Sequence, residues 1–230
     1  MGTFLVWQNF RKMLAYNRQI KATLRAAVRE LGRRHLSGRL VDIGCGVKPY
    51  EHDLRQVITE HVGVDLADTA YDLSRVDLVG TAYAIPVADA SFDAGLATEI
   101  LEHLEEPAVA LLEWYRVVRP GGHLLITTPF IWGIHDEPRD FFRYTPYGLR
   151  FLLESAGFEI IEIRHVGGFW STFGQLLAYV IETYDRGPIR RLHVLPVLGA
   201  AAQRLGGAIE KRSPRPTWGS HVVAVVRRPL

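Results

Sequence analysis

The stretch that decides the fold is Val41-Asp42-Ile43-Gly44-Cys45-Gly46-Val47-Lys48-Pro49-Tyr50. It begins as an apolar strand and runs directly into a turn that contains two glycines. Gly44 and Gly46 have no Cβ atom, so the backbone there can turn sharply and lie against a ligand. A second strand ends about twenty residues later at Asp65, whose carboxylate can accept hydrogen bonds from both hydroxyls of a ribose. Together these features predict a nucleotide-binding α/β fold.

The glycine turn differs from the dinucleotide-binding fingerprint. That fingerprint, G-x-G-x-x-G, requires a glycine where this chain has Pro49, and its third glycine permits close packing of the helix on the strand. The chain also contains no Tyr-x-x-x-Lys dyad. A nicotinamide-dependent reductase is therefore the less favoured enzyme, and a tight turn that binds nothing remains an alternative for the two glycines alone.

Three further motifs follow the glycine turn in order. Residues 82–93 read AYAIPVADASFD, residues 99–104 read EILEHL, and residues 119–129 read RPGGHLLITTP. With the glycine turn, these motifs resemble the class I S-adenosylmethionine-dependent methyltransferase family over residues 38–166, with a last strand near residue 220. The resemblance implies S-adenosyl-L-methionine as the cofactor and methyl transfer as the reaction.

The same resemblance implies that the cofactor lies along the carboxyl ends of several strands. Thr81 stands where many family members have an acid that accepts the adenine amino group, so the backbone N–H of Ala82 is the expected adenine anchor. Val47 and Lys48 occupy positions where a further small residue is common. The predicted cofactor-binding residues are Asp42, Gly44, Cys45, Gly46, Asp65, Leu66, Thr81, Ala82, Thr98 and Glu99.

The segment after the predicted fifth strand is the candidate catalytic loop. Residues 130–146 read FIWGIHDEPRDFFRYTP, and this resembles a stretch in a methyltransferase subgroup associated with polysaccharide and glycolipid pathways. His135 is the predicted general base, because an imidazole titrates near neutrality. Asp140 is predicted to orient it or to pair with Arg143, and either Arg139 or Arg143 to hold an anionic acceptor through a planar fork. The alternative is that Asp140 and Arg143 form an ion pair that only fixes the loop.

The predicted reaction is methylation of an oxygen, whose proton must be removed by a base. The acceptor is expected to be a small molecule or to be sugar- or lipid-linked. A catalytically inactive binding protein is the alternative. No metal site is predicted, because the H-E-x-x-H motif is absent and Cys45 is the only cysteine. His103, four residues after Glu99, is interpreted as a structural residue on the same helical face.

Charge and apolar runs in the sequence indicate the expected partners and location of the protein. The net charge is only +2, so no nucleic-acid partner is expected. The N-terminus does not resemble a signal peptide, and no apolar run approaches the ~18 residues of a membrane span. The predicted location is cytoplasmic, with a peripheral membrane position as an alternative.

Alternating strand and helix patterns predict the architecture. We expect a Rossmann-like, doubly wound, seven-stranded sheet, mostly parallel with an antiparallel last strand, and helices on both faces. Residues 1–230 are predicted to form one domain with an N-terminal helical extension at 1–36 and a helical insertion at 167–217. Arginines flank the apolar residues of the insertion, so it is a candidate cover, homodimer interface, apolar acceptor site or membrane-contacting surface.

Overall fold

A computed structural model describes residues 17–68, 73–184, 194–215 and 217–230. The chain divides into two compact units. One comprises Ala26–Arg164 and His221–Leu230, and the other comprises Met1–Arg25 and His165–Ser220. Residues 1–16 of the predicted N-terminal extension lie outside the described residues, as do residues 185–193 of the predicted insertion.

Within the described residues, the sheet has seven strands in the order β3-β2-β1-β4-β5-β7-β6. The strands are β1 (Gly38–Ile43), β2 (Ile58–Asp65), β3 (Leu78–Val79), β4 (Phe92–Thr98), β5 (Val118–Pro129), β6 (Glu159–Val166) and β7 (His221–Arg227). The helices are α1 (Arg18–His35), α2 (Glu51–Leu54), α3 (Pro107–Val117), α4 (Pro146–Ser155), α5 (Phe169–Thr183) and α6 (Val194–Arg212). Two short 3₁₀ turns span Leu73–Arg75 and Leu101–His103.

The strand pairing confirms the predicted fold. β1 pairs in parallel with both β2 and β4, and β4 pairs in parallel with β5. β7 is antiparallel to β5 and lies between β5 and β6. The central strands carry long apolar runs because helices cover parallel sheets on both faces. Residues 222–226 of β7, for example, are fully buried.

Side chains from α3 and α4 fill the core beside the sheet. Trp114 and Leu111 on α3 are fully buried, as are Leu149 and Leu153 on α4. Helix α4 begins with Pro at its first position, and the hydroxyl of Thr145 accepts a hydrogen bond from the Gly148 N–H at 3.0 Å. This N-cap fixes where the candidate catalytic loop ends and the helix begins.

The second unit contains α5 and α6, which pack closely against each other. A Cβ atom added to Gly206 would lie 2.3 Å from the backbone oxygen of Trp170, so only glycine permits this approach. The carboxylate of Glu210 accepts a hydrogen bond from the Trp170 N–H at 2.7 Å and so satisfies the start of α5. The helices expose several apolar side chains: Phe173, Leu176, Leu177, Val180, Val194, Val197, Leu198 and Leu205.

None of the helices that the structure describes is long and apolar enough to cross a membrane. The use of the 167–217 insertion as a membrane, homodimer or acceptor-binding surface stays a prediction.

Candidate functional site

The candidate site lies where β1 and β4 run side by side. Ile43 of β1 is in register with Ala97 of β4, and successive strands are added on opposite sides of this pair. In open α/β sheets, ligands bind outside the carboxyl ends of the strands at such a switch point. The glycine turn follows β1, and the motif at residues 99–104 follows β4.

The glycine turn adopts a conformation that requires glycine. Gly44 and Gly46 have φ angles of 68° and 48°, a region that residues with a Cβ atom avoid. A Cβ atom on Gly44 would also lie 2.8 Å from Cδ1 of Ile100. The turn is fixed to β2, because the Gly44 N–H donates to the carbonyl of Val64 at 2.9 Å.

The carboxylate of Asp65 closes the turn from the end of β2. Its Oδ2 accepts a hydrogen bond from the Gly46 N–H at 2.8 Å, and its Oδ1 accepts one from the Leu66 N–H at 2.8 Å. Each carboxylate oxygen has two lone pairs, so both can still accept a ribose hydroxyl. The structure therefore brings the predicted residues Gly44, Gly46, Asp65 and Leu66 together.

Charged side chains support the turn from below. Lys48 has a φ angle of 52° and is buried, and its ammonium group pairs with Asp77 and donates to the carbonyl of His61 at 2.9 Å. Partial burial acts to raise the pKa of Asp77, but hydrogen bonds from Lys48 and from the Gly63 N–H lower it below its ordinary value. Sequence reasoning treated Lys48 only as a departure from the family pattern and missed this role.

Asp42 and Cys45 are enclosed beneath the turn. Asp42 is 1% exposed, and its carboxylate lies 2.8 Å from Nε2 of His61. Burial raises the pKa of this carboxylate above its ordinary value. Burial, with the charge of Asp42 nearby, raises the pKa of the Cys45 thiol to about 12. Both side chains therefore pack beneath the turn, and their direct contact with a cofactor stays a prediction.

The predicted adenine loop is held by two sets of hydrogen bonds. The hydroxyl of Thr81 accepts from the N–H groups of Tyr83 and Ala84 at 3.3 and 3.1 Å. The carbonyl of Ala82 accepts from the indole N–H of Trp114 at 2.9 Å. Thr81 is thereby fixed as a turn residue, and Ala82 is anchored to α3.

Glu99 occupies an unusual position immediately after β4. Its φ angle is 54°, a conformation that a residue with a side chain keeps only when its surroundings hold it there. Its Oε1 accepts from the Thr127 hydroxyl at 2.8 Å, and its Oε2 lies 3.1 Å from Nε2 of His221. Burial acts to raise the pKa of Glu99, but His221 and Thr127 together bring it below its ordinary value.

The helical face predicted to hold Glu99 and His103 does not form. Only Leu101–His103 are helical, in a 3₁₀ turn, because the backbone turns away at Glu99. The next acid, Glu102, is fully buried, and neither of its oxygens has a hydrogen-bond partner among the described residues. Burial and the charge of Glu99 raise the pKa of Glu102 well above its ordinary value.

Two histidines face the buried carboxylate of Glu102. Nε2 of His103 lies 3.7 Å from its Oε1, and Nε2 of His135 lies 4.0 Å from the same oxygen. The two imidazole rings meet edge to face, with centroids 4.9 Å apart. We call Glu102, His103 and His135 the Glu-His-His cluster. Sequence reasoning missed Glu102, although its place in the motif at residues 99–104 marks it.

In the candidate catalytic loop, Asp140 contacts both His135 and Arg143, the two residues that it was predicted to orient or to pair with. Its Oδ2 accepts from the backbone N–H of His135 at 2.9 Å and lies 3.3 Å from Nδ1 of the same residue. Arg143 donates to both carboxylate oxygens, at 2.6 and 2.7 Å. The Arg143 guanidinium holds the pKa of Asp140 well below its ordinary value. Asp140 therefore positions His135 and also pairs with Arg143.

All the hydrogen bonds described for Arg143 are with residues of its own loop. Besides Asp140, it donates to the backbone carbonyls of Trp132, Gly133 and Phe142 at 3.3, 2.9 and 2.8 Å. These bonds engage all five N–H donors of a guanidinium. An anionic acceptor would have to displace one of them, so the geometry favours a structural role for Arg143 over the predicted acceptor-binding role.

The methyltransferase-domain family model matches residues 41–126, which include the glycine turn, the adenine loop and the acidic end of β4. An O-methyltransferase of Aspergillus nomiae is 29% identical over 183 residues, which are 67% of this chain and 81% of that protein. A malonyl-[acyl-carrier protein] O-methyltransferase of Yersinia pestis is 30% identical over 105 residues, which are 43% of this chain and 39% of that protein. The chain thus spans most of the fungal protein but less than half of the bacterial one.

Among solved structures, an S-adenosylmethionine-dependent methyltransferase from Thermotoga maritima has the same fold. Its TM-score is 0.61 at 20% sequence identity, and the match covers 96% of this chain and 95% of that chain.

Proposed function

We propose that the protein transfers the methyl group of S-adenosylmethionine to an oxygen atom of its acceptor. The proposal follows from its membership of the class I S-adenosylmethionine-dependent methyltransferase family. The acceptor is a small molecule or the polar end of a sugar- or lipid-linked one. One observation carries the proposal: the cofactor turn at the end of β1 and the Glu-His-His cluster after β4 lie at neighbouring strand ends.

Methyl transfer requires the protein to position the two reactants and to allow the acceptor to lose its proton. The sulfonium carbon is already electrophilic, so the acceptor atom displaces the sulfur in line. Holding donor and acceptor in that geometry can lower the barrier by up to about 7–11 kcal/mol. A hydroxyl acceptor must also lose its proton. The carboxylate and imidazoles of the cluster suit a hydroxyl, and both relatives named above are O-methyltransferases.

The surface of the candidate catalytic loop supports an acceptor with an apolar or ring-shaped body. Ile134 is 76% exposed, and Phe141 and Phe142 are also exposed. All three come from the segment that carries His135 and Asp140. Apolar side chains that remain in water beside polar groups are typical of small-molecule sites.

Calorimetry tests the cofactor first. Purified protein is titrated with S-adenosylhomocysteine, the product form of the cofactor, and separately with NADH. We expect micromolar binding of S-adenosylhomocysteine, near −8 kcal/mol, and none of NADH. Well-folded protein that binds only NADH, or neither ligand, would contradict the proposal.

A second measurement tests the acceptor atom. Isotope-labelled S-adenosylmethionine is incubated with the protein and with panels of phenols, sugar hydroxyls, carboxylic acids and amines. Label on an oxygen is the expected result. Label that appears on amines alone would refute the oxygen assignment while leaving the cofactor assignment intact.

A further inference from the structure

The three side chains of the Glu-His-His cluster present donor atoms that one ion can reach. One donor atom from each of Glu102, His103 and His135 lies within 4.8 Å of the others. Two atoms bound to one ion at about 2.1 Å lie at most about 4.2 Å apart. The distances from Oε1 of Glu102 to the two imidazoles, 3.7 and 4.0 Å, already meet this limit.

The hydrogen bonds of both imidazoles direct a lone pair into the cluster. Nδ1 of His103 lies 2.5 Å from the carbonyl oxygen of Arg139, which can only accept. Nδ1 of His135 lies 3.3 Å from the carbonyl oxygen of Gly133 and 3.3 Å from Oδ2 of Asp140. The neutral tautomer that these contacts favour has the proton on Nδ1 and a lone pair on Nε2. Metal-binding histidines show this arrangement, with the other ring nitrogen donating to a carbonyl or carboxylate.

Glu102 supplies an independent observation. It is fully buried, and neither carboxylate oxygen has a hydrogen-bond partner among the described residues. A buried polar atom without a partner costs free energy and calls for an explanation. The two Nε2 atoms that approach it, at 3.7 and 4.0 Å, lie beyond hydrogen-bond distance of its Oε1. A cation between them would satisfy all three groups at once.

We propose that Glu102, His103 and His135 bind a divalent transition-metal ion. Two imidazoles and one carboxylate suit Zn²⁺, Mn²⁺, Fe²⁺ or Co²⁺, whereas Ca²⁺ and Mg²⁺ prefer oxygen ligands alone. Three protein ligands leave at least one coordination position open, as in catalytic zinc sites.

The role of this ion rests on the proposed function. An acceptor hydroxyl at the open position would have a lowered pKa and lose its proton to water. The resulting oxyanion attacks the methyl carbon, the C–S bond breaks with its electron pair passing to sulfur, and S-adenosylhomocysteine leaves as a neutral thioether. His135 then serves as a ligand in place of the predicted general base, and Asp140 is a positioning residue behind it.

Cobalt binding tests the site without requiring turnover. Full-length protein without a polyhistidine tag is treated with a chelator, dialysed and titrated with Co²⁺, whose visible absorption reports nitrogen and oxygen ligation. We expect one equivalent to bind and excess Zn²⁺ to displace it. Glu102→Gln keeps the shape of the side chain but removes the charge, and we expect it to weaken binding by about 100-fold or more. His103→Ala should have a similar effect.

Two substitutions at exposed positions serve as controls. Glu105→Gln removes a carboxylate three residues from Glu102, and His52→Ala removes an exposed histidine. Neither should change Co²⁺ affinity. Absence of stoichiometric binding to folded wild-type protein would overturn the proposal, and so would binding that survives both Glu102→Gln and His103→Ala.

S-adenosylhomocysteine binding is measured on the same samples to separate the two proposals. Protein that binds S-adenosylhomocysteine but not Co²⁺ would refute the metal site alone. Protein that binds Co²⁺ but not S-adenosylhomocysteine would refute the proposed function and leave the metal site standing.

Discussion

Replacing Asp65 with asparagine tests the cofactor turn most directly. The substitution keeps the size of the side chain and removes its charge. In the structure, both carboxylate oxygens of Asp65 accept backbone hydrogen bonds of 2.8 Å, from Gly46 and Leu66. An asparagine has one acceptor oxygen and an NH₂ group that only donates, so it can retain one of these bonds but not both.

The size of the effect follows from the bonds that are lost. A hydrogen bond to a charged group contributes about 1.5–3 kcal/mol. Losing one such bond to the ribose corresponds to about 10- to 100-fold weaker binding of S-adenosylhomocysteine. Losing one backbone bond should also lower the free energy of unfolding by about 1–3 kcal/mol.

Calorimetry and thermal unfolding of the same samples distinguish these effects. Asp68→Asn is the matched control, because it removes the same charge from an exposed position three residues later. We expect the control to bind S-adenosylhomocysteine as the wild type does. If Asp65→Asn unfolds cooperatively and still binds with wild-type affinity, Asp65 does not contact the ribose and the assignment of the turn is wrong.

Three further predictions concern groups around the site. Burial raises the pKa of the Cys45 thiol to about 12, so iodoacetamide at pH 8 should leave native protein unmodified and alkylate it in denaturant, as mass spectrometry will show. The Arg39 N–H and the Arg119 guanidinium lower the pKa of Asp93. The ionised carboxylate therefore stabilises the fold above about pH 4, and this stabilisation is lost as the pH falls through the lowered pKa. Asp93→Asn should therefore lower Tm at pH 7, and the difference should shrink towards pH 3. Trp114→Phe removes the indole hydrogen bond to the adenine loop and should cost about 1–3 kcal/mol in a urea titration.

The sequence predicted the parts of the fold and site that depend on consecutive residues. The glycine turn was recognisable because Gly44 and Gly46 are needed within one short segment where φ is positive. The start of α4 is also determined locally, because Thr145 caps the helix and Pro146 takes its first position. The pattern of Asp65 at a strand end was likewise local, and the structure places its carboxylate on the turn.

Long-range relations in the site could not be read from the sequence. His135 is thirty-three residues from Glu102 along the chain, and the sheet together with the loop after β5 brings them to 4.0 Å. His221 reaches Glu99 because antiparallel pairing places His221 opposite Pro129. The sequence could show that β7 exists, but its position between β5 and β6 fixes this contact.

The conformation of Glu99 lets residues 99–103 contact both the glycine turn and the candidate catalytic loop. A continued helix would have stacked Glu99 and His103, but the positive φ angle at Glu99 redirects the chain at a cost of about 1–3 kcal/mol. The carboxylate of Glu99 offsets this cost through Thr127 and His221. Ile100 is thereby placed next to Gly44 of the glycine turn, while Glu102 and His103 face the candidate catalytic loop. The backbone conformation of one residue thus fixes the distance between the glycine turn and the Glu-His-His cluster, and in-line methyl transfer by the proposed mechanism depends on that distance.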